Sequence, residues 1–421
     1  MTGITFVALG LLLLREAAAQ GLDLLNRRHV QAHADHVPDA FREVMDADTY
    51  RKSTTYTLAK SRFGSLSSAW EFVVLLGVLF SGLLPWAWHS WLHAAGDTIW
   101  TSALGLFALG IVLGLPELPL DWWSQFRLEE RFGFNTSTQR TWWLDRLKGL
   151  ALGALLGIPL LTLLLWLVHR AGASWWIWGW AALTLFQGIL MVLAPIVIMP
   201  LFNKFQPLPD GPLRDRLLAL AERTGFQTRG IEIMDGSRRS RHANAFFTGF
   251  GRFRRIILFD TLVAQLAEPE IEAVLAHEIG HFRRRHVLKL LGSSVVLSFV
   301  GFALIAWLAR EPWFFTAFGF QEPSVPVALL LFTLLSPAVT FWFSPLSNAL
   351  SRRFEYQADA FATHAVGAPA PLIAALRKLY EKNLGNLTPH PLYSTFHYSH
   401  PTLLERERAM KALPSLPATQ P

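Results

Sequence analysis

Five consecutive residues carry the strongest chemical signal in the chain: His277-Glu278-Ile279-Gly280-His281. Residues four apart share one face of a helix. Two imidazoles so placed can grip one metal ion, with the intervening Glu aimed at its open position. The same spacing also describes an amphipathic surface helix with two exposed histidines. A catalytic zinc needs a third protein ligand and keeps a fourth position for water. The chain has no Cys, so the third ligand must be His, Asp or Glu. Phe354-Glu355-Tyr356-Gln357-Ala358-Asp359 offers a candidate on a helix predicted over 346–365. Glu355 would bind the one zinc ion. Asp359 would accept a hydrogen bond from the non-ligating nitrogen of a zinc histidine and fix its tautomer. An ordinary solvated helix face is the alternative reading of that pair. Zinc held this way activates water and polarises a carbonyl. Glu278 would take the water's proton and return it to the leaving amine. That chemistry is peptide hydrolysis without a covalent intermediate.

Hydrolysis of a peptide needs the peptide held extended. Asn244-Ala245-Phe246-Phe247-Thr248-Gly249 precedes the metal motif and is aromatic and turn-bounded. It could be an edge strand whose free backbone groups pair with substrate. An internal hairpin strand fits the pattern as well.

The elements that must position these residues lie in an oily chain. Of 421 residues, 52% are hydrophobic and 16% charged, with 17 Trp, 31 Phe and a mean hydropathy of +0.31. Soluble chains carry about 25% charged residues. Disorder and an ordinary cytosolic enzyme are excluded, and the missing Cys excludes a catalytic thiol, cysteine zinc fingers and iron–sulfur clusters. Seven apolar runs are long enough for a bilayer: about 3–25, 66–88, 98–120, 148–169, 175–198, 288–309 and 324–346. The first could instead be a signal peptide, but no Lys or Arg precedes it, as a positive n-region requires. Segments 26–65, 121–148, 199–287 and the chain after 347 carry 34 of the 38 Lys and Arg. The loops between carry only Arg170 and Arg310. The positive-inside rule then places the N-terminus outside and the large loops and C-terminus in the cytoplasm. The expected organisation is a membrane region over 1–202 with five spans, a last pair of spans within 288–346, and a cytoplasmic α+β domain made of 203–287 and 347–421. Within that domain, helices are expected over Pro212 to Thr224 and Glu268 to Arg285. Short strands are expected over Gly230 to Met234 and Ile256 to Phe259.

Several motifs beyond the metal site resemble the CAAX prenyl protease 1 family of membrane zinc endopeptidases. They are Tyr50-Arg51-Lys52-Ser53, Lys60-Ser61-Arg62-Phe63-Gly64, Glu130-Arg131-Phe132-Gly133-Phe134-Asn135, Pro200-Leu201-Phe202-Asn203-Lys204-Phe205, Asp235 to Ser240, His242-Ala243-Asn244-Ala245-Phe246, Leu258 to Leu262 and His400 to Arg406. The resemblance runs from about residue 50 to about 410. It implies a mostly α polytopic protein with seven transmembrane helices around a large water-filled chamber, entered through side openings, plus the cytoplasmic zinc-metalloprotease domain. By motif it implies His277, His281 and Glu355 as zinc ligands, Glu278 as base and Asp359 as the supporting acid. Asn244, Ala245 and Phe246 would line the peptide, and His400 would lie near the zinc, where it could stabilise an oxyanion. His286 also matches the family pattern, without a physical role that the residues reveal. The family's usual His-Ser-Asn-Ala-Tyr reads here His242-Ala243-Asn244-Ala245-Phe246, so two hydroxyls are gone and substrate preference is open. An Arg-rich, Lys-poor composition of 30 to 8 points to a GC-rich bacterial genome and an inner membrane. A eukaryotic source would mean the endoplasmic reticulum. The expected partners are an extended or prenylated peptide and the bilayer, for a protein acting as a monomer.

Rival readings fit less well. General quality-control proteolysis without prenyl dependence shares the same chemistry. Intramembrane cleavage of the site-2 type would bury Arg283-Arg284-Arg285 in mid-bilayer, at high cost. A scaffold or transporter with a vestigial metal site would tolerate loss of Glu278, His281 or Glu355, and all are present. The six Arg of 238–255 suggest lipid headgroups rather than nucleic acid.

Overall fold

The computed structural model describes residues 3–42, 45–248 and 254–414. The Pro-rich tail and residues 249–253 of the basic stretch lie outside them. Six helical stretches among the described residues are long and apolar enough to cross a membrane: Gly3–Ala32, Ala47–Phe80, Ile99–Phe132, Gln139–Phe202, His286–Leu308 and Val325–Val366. The fourth is 64 residues long and holds two helices, Gln139–Ala171 and Trp175–Leu193, which pack on each other across the turn Gly172–Ser174. Gly172 supplies the left-handed φ of 54° for that turn.

One span differs from its sequence expectation. The run over 66–88 is not one helix: it ends at Phe80, and a separate helix, Leu83–Ala95, follows. Gly82 sits at φ 80°, and Pro85 has no N–H to donate to the Ser81 carbonyl. Hydropathy runs on unchanged through Leu83-Leu84-Pro85-Trp86, so composition hides the break.

The apolar spans bury little of themselves. Only 11% to 28% of each apolar window is covered. A close-packed bundle would bury a whole stripe of every helix. Where the spans do pack, Val78, Leu79, Ala103, Leu164, Phe302 and Leu331 join a second core, and the rest of the apolar surface is left uncovered. A cavity of about 620 Å³ is lined by Asp23, Tyr56, Lys60, His242 and Tyr398. Another, of about 610 Å³, opens between His89, Asp97, His169 and Glu322.

The polar part is built on a four-stranded sheet. β1 (Phe205–Pro207), β2 (Gly230–Met234), β3 (Ala245–Thr248) and β4 (Arg255–Phe259) lie in the order β1-β2-β4-β3. β2 and β4 are parallel, with Ile231 opposite Ile256. The outer strands are antiparallel to their neighbours, and Ala245 lies opposite Leu258. Pro207, which cannot donate to a ladder, is tolerated because β1 is an edge. The core beneath joins Leu217, Leu220, Ile256, Leu258, Ile271, Leu275 and Ile279 to Ala362, Leu372 and Met410. Phe41, Met45 and Tyr50 also belong to it, so the first polar loop packs into this core although the sequence places it with the membrane region.

Arg239 ties this part to the spans. Its guanidinium makes a bidentate pair with Asp145 at 2.8 and 3.0 Å and donates to Asn203 Oδ1 and the Phe202 carbonyl. Asn135 and Ser240 form an antiparallel bridge beside it.

Candidate active site

The motif helix, Glu268–Arg283, begins with a capping interaction in which Glu270 reaches back to the backbone N–H of Ala267. Ile271, Leu275 and Ile279 face the core, which turns His277 and His281 toward the helix Ser344–Val366. Gly280 sets the distance between these helices. A Cβ there would lie 3.0 Å from Ala358 Cα and 3.1 Å from its carbonyl oxygen. Any side chain there would press on that backbone, so glycine suits the close approach. The motif helix stops at Arg283, and Arg285 adopts φ 56°. The chain thus turns between the motif and the span His286–Leu308, which leaves Arg283, Arg284 and Arg285 exposed. The second helix continues the last apolar stretch, so one helical run, Val325–Val366, carries both a span and the pair Glu355 and Asp359.

Three ligand-type atoms converge. His277 Nε2 lies 3.1 Å from His281 Nε2 and 3.4 Å from Glu355 Oε2, and His281 Nε2 lies 3.3 Å from Glu355 Oε1. A metal bound tetrahedrally at about 2.0–2.1 Å sets its ligand atoms roughly 3.3 Å apart. Glu355 Oε2 is buried and makes no hydrogen bond. Two imidazole nitrogens and an unsatisfied carboxylate oxygen at these separations suit one small divalent cation. His277, His281 and Glu355 could hold it.

Surrounding groups fix the cluster. Asp359 Oδ1 accepts from His277 Nδ1 at 2.9 Å, which leaves Nε2 free to ligate. Arg406 holds Asp359 from the other side, at 2.8 Å through Nε and 2.5 Å through a terminal nitrogen. The same guanidinium lies 3.6 Å from Glu355. Burial works against a charge on His277, but the carboxylates of Asp359 and Glu355 beside it prevail and push its pKa up to about 9. Burial raises the pKa of Glu278. Arg406 carried no individual signal in the sequence. It lies in the quoted stretch His400 to Arg406, and only folding brings it across to Asp359.

The pocket in front of the cluster, of about 200 Å³, is lined by Asn244, Ala245, Glu278, Glu355, His400 and Arg406, among others. Of the residues singled out in the sequence, His277, Glu278, His281, Glu355 and Asp359 stand together. His400 reaches them, with Nε2 3.4 Å from Glu355 Oε1, although its side chain is largely exposed. Ala245 and Phe246 lie on β3, which among the described residues pairs only with β4 and is a sheet edge. The Asn244 carbonyl accepts from Phe259 N–H, and its side chain accepts from Ala245 N–H. His286, which had no role in the sequence, is buried beside His281.

Comparison with known proteins places this arrangement. Residues 26–204 match the family described as CAAX prenyl protease N-terminal, five membrane helices. Residues 207–413 match peptidase family M48. CAAX prenyl protease 1 of Saccharomyces cerevisiae is 35% identical over 413 residues, covering 92% of this chain and 91% of that protein. The Homo sapiens CAAX prenyl protease 1 homolog is 31% identical, over 92% of this chain and 91% of its own. The crystal structure of S. mikatae Ste24p superposes with a TM-score of 0.89 at 33% identity, covering 97% of this chain and 99% of that one. With helices of membrane-spanning length, a His-His-Glu cluster and similarity along nearly its whole length, the chain belongs to the CAAX prenyl protease 1 family of multi-pass membrane metallopeptidases.

Proposed function

We propose that the protein is a zinc endopeptidase that cuts an extended peptide lying along the free edge of β3. The observation that carries this reading is the juxtaposition of the His277-His281-Glu355 cluster, the carboxyl of Glu278 and an unpaired strand edge in one pocket. His277, His281 and Glu355 would hold one zinc ion. When bound, zinc lowers the pKa of water and polarises the scissile carbonyl. The Glu278 carboxylate takes a proton from the attacking water and delivers it to the departing amide nitrogen. Asp359, itself held by Arg406, keeps His277 in the tautomer that ligates through Nε2. His400 is placed to donate toward an oxyanion. The peptide would lie along Asn244, Ala245 and Phe246 by strand addition, with the Ala245 carbonyl as the acceptor turned to the free edge.

The relatives are named as CAAX prenyl proteases. By that likeness the substrate is a prenylated protein C-terminus, presented from the bilayer to a catalytic domain of 203–287 and 347–421. The Lys and Arg bias puts that domain on the cytoplasmic face, and the Arg-rich, Lys-poor composition makes the membrane a bacterial inner membrane. No nucleic acid is involved, and a single chain carries every group the site uses.

The test is cleavage by detergent-purified protein with equimolar zinc, wild type beside Glu278→Gln. A farnesylated CAAX peptide and its unprenylated counterpart serve as substrates. Loss of the base is expected to lower kcat about 10²–10⁴-fold while zinc stays bound. Equal cleavage by both proteins would sink the mechanism. Equal rates on the two peptides would replace prenyl-dependent processing by general membrane-protein proteolysis.

A further inference from the structure

The two histidines of the cluster are held by unlike devices. His277 gives its Nδ1 proton to a carboxylate, Asp359, at 2.9 Å. Among the described groups, His281 has no carboxylate at its Nδ1. That nitrogen lies 3.0 Å from Nδ1 of a third imidazole, His286. The far nitrogen of His286, Nε2, lies 2.9 Å from Gln357 Oε1. His286 is 1% exposed and stacks face to face on Phe354, with ring centroids 4.2 Å apart and planes 9° from parallel. Its ring cannot turn without losing that stack, and water does not reach it.

The geometry points to His286 and Gln357 as positioning residues that fix the proton of His281 and so aim its Nε2 lone pair at the metal. This inference rests on the ligand set proposed above. Two ring nitrogens 3.0 Å apart must share one proton, one donating and the other accepting. Gln357 decides which. Its amide oxygen accepts only, so His286 carries its proton on Nε2 and donates it there. A neutral His286 then has a bare Nδ1, which accepts from His281 Nδ1–H. The remaining lone pair of His281 is on Nε2, the atom that faces His277 Nε2 and Glu355 Oε1. Were the order reversed, His281 would turn an N–H toward the cation. The relay therefore does for His281 what Asp359 does for His277, without adding a second buried carboxylate.

The test measures zinc affinity of the full-length protein in detergent by competition with a chelator, beside the thermal midpoint of the metal-free protein. His286→Phe keeps the stack on Phe354 but can accept no proton. It is expected to weaken zinc binding 10- to 100-fold, with the metal-free midpoint unchanged. His286→Asn places an amide oxygen near the lost Nδ1 and should recover most of the affinity. Gln357→Glu, which can only accept, should bind zinc as wild type does. Gln357→Leu, at a half-buried position, removes the acceptor while leaving His286 in place, and should also weaken binding. That variant keeps the test open if His286→Phe fails to fold. Wild-type affinity in both His286→Phe and Gln357→Leu overturns the relay. So does a lowered metal-free midpoint with unchanged affinity, which would make His286 a packing residue. If His281→Ala binds zinc as tightly as wild type, the ligand set is wrong and the relay falls with it.

Discussion

The polar domain and the membrane spans dispose of their apolar side chains in opposite ways. In the domain, Leu217, Leu220, Ile256, Leu258, Leu262 and Ile279 show no exposed surface. In the spans, Leu155 and Leu346 are each 70% exposed. Burial drives the first, because the domain must take its oil out of water. Lipid accepts the second at no cost, since acyl chains are as apolar as leucine. One helical stretch passes through both regimes. Val325–Val366 shows Leu346 and Leu350 outward, then buries Phe354, Glu355, Ala358 and Asp359 a few turns later. The lesson concerns precision. A ligand set that must hold separations near 3.3 Å sits where packing is tight. The spans, which need no such separations, bury little of each helix.

The contrast breaks most completely at Gly280. A Cβ at this residue would already press on the Ala358 backbone, so Gly280→Leu must drive the two ligand-bearing helices apart. Overpacking of this kind costs about 1–3 kcal/mol, and here backbone rather than a flexible side chain stands in the way. Zinc stoichiometry by elemental analysis should fall well below one per chain, and peptidase activity should vanish. A Gly280→Leu protein with full zinc content would show that the close approach is not what assembles the ligands.

A matched pair of truncations sharpens the same contrast. Leu275 is 1% exposed in the domain core. Leu275→Ala should destabilise by about 2–5 kcal/mol. Leu155→Ala removes the same atoms from an exposed position on a span and should stay within about 0.5 kcal/mol. Thermal midpoints in detergent report both. Equal losses would mean that the spans are packed as tightly as the domain.

Much of this was legible beforehand, for identifiable reasons. Hydropathy located the spans because a bilayer demands about 20 apolar residues whatever the fold. Helical spacing located His277 with His281 and Glu355 with Asp359, because residues four apart must share a face. The break at Gly82 was hidden, because the flanking residues stay apolar. The closeness enforced by Gly280 was hidden too, since a glycine in a helix does not name what it touches. Arg406 reaches Asp359 from 47 residues away, and the His286 relay depends on Gln357, 71 residues off. No local period encodes such distances. The edge position of β3 was undecided for a related reason. A four-residue strand with one buried side chain, Ala245, gives alternation too little length to show.

The smallest effect is the most diagnostic of the pocket itself. Glu278 lines a recess walled by Val274, Leu372, Leu376 and Leu379, and burial there raises its pKa above the ordinary Glu value of 4.5. A base must be ionised to accept a proton, so kcat/KM should fall as pH drops through that raised value. Burial alone would place the acid limb of the profile above the usual carboxylate range. His277 and His281 pull in the opposite direction, and a bound cation adds to their pull, so the limb reports a balance between burial and positive charge. Leu376→Ala changes one side of that balance only. It lets water approach the carboxyl and leaves the ligands alone, so the limb should move to lower pH while zinc affinity holds. A limb that stays fixed in Leu376→Ala would mean that another group sets it, and the walls of the pocket would then shape the peptide's path rather than the base.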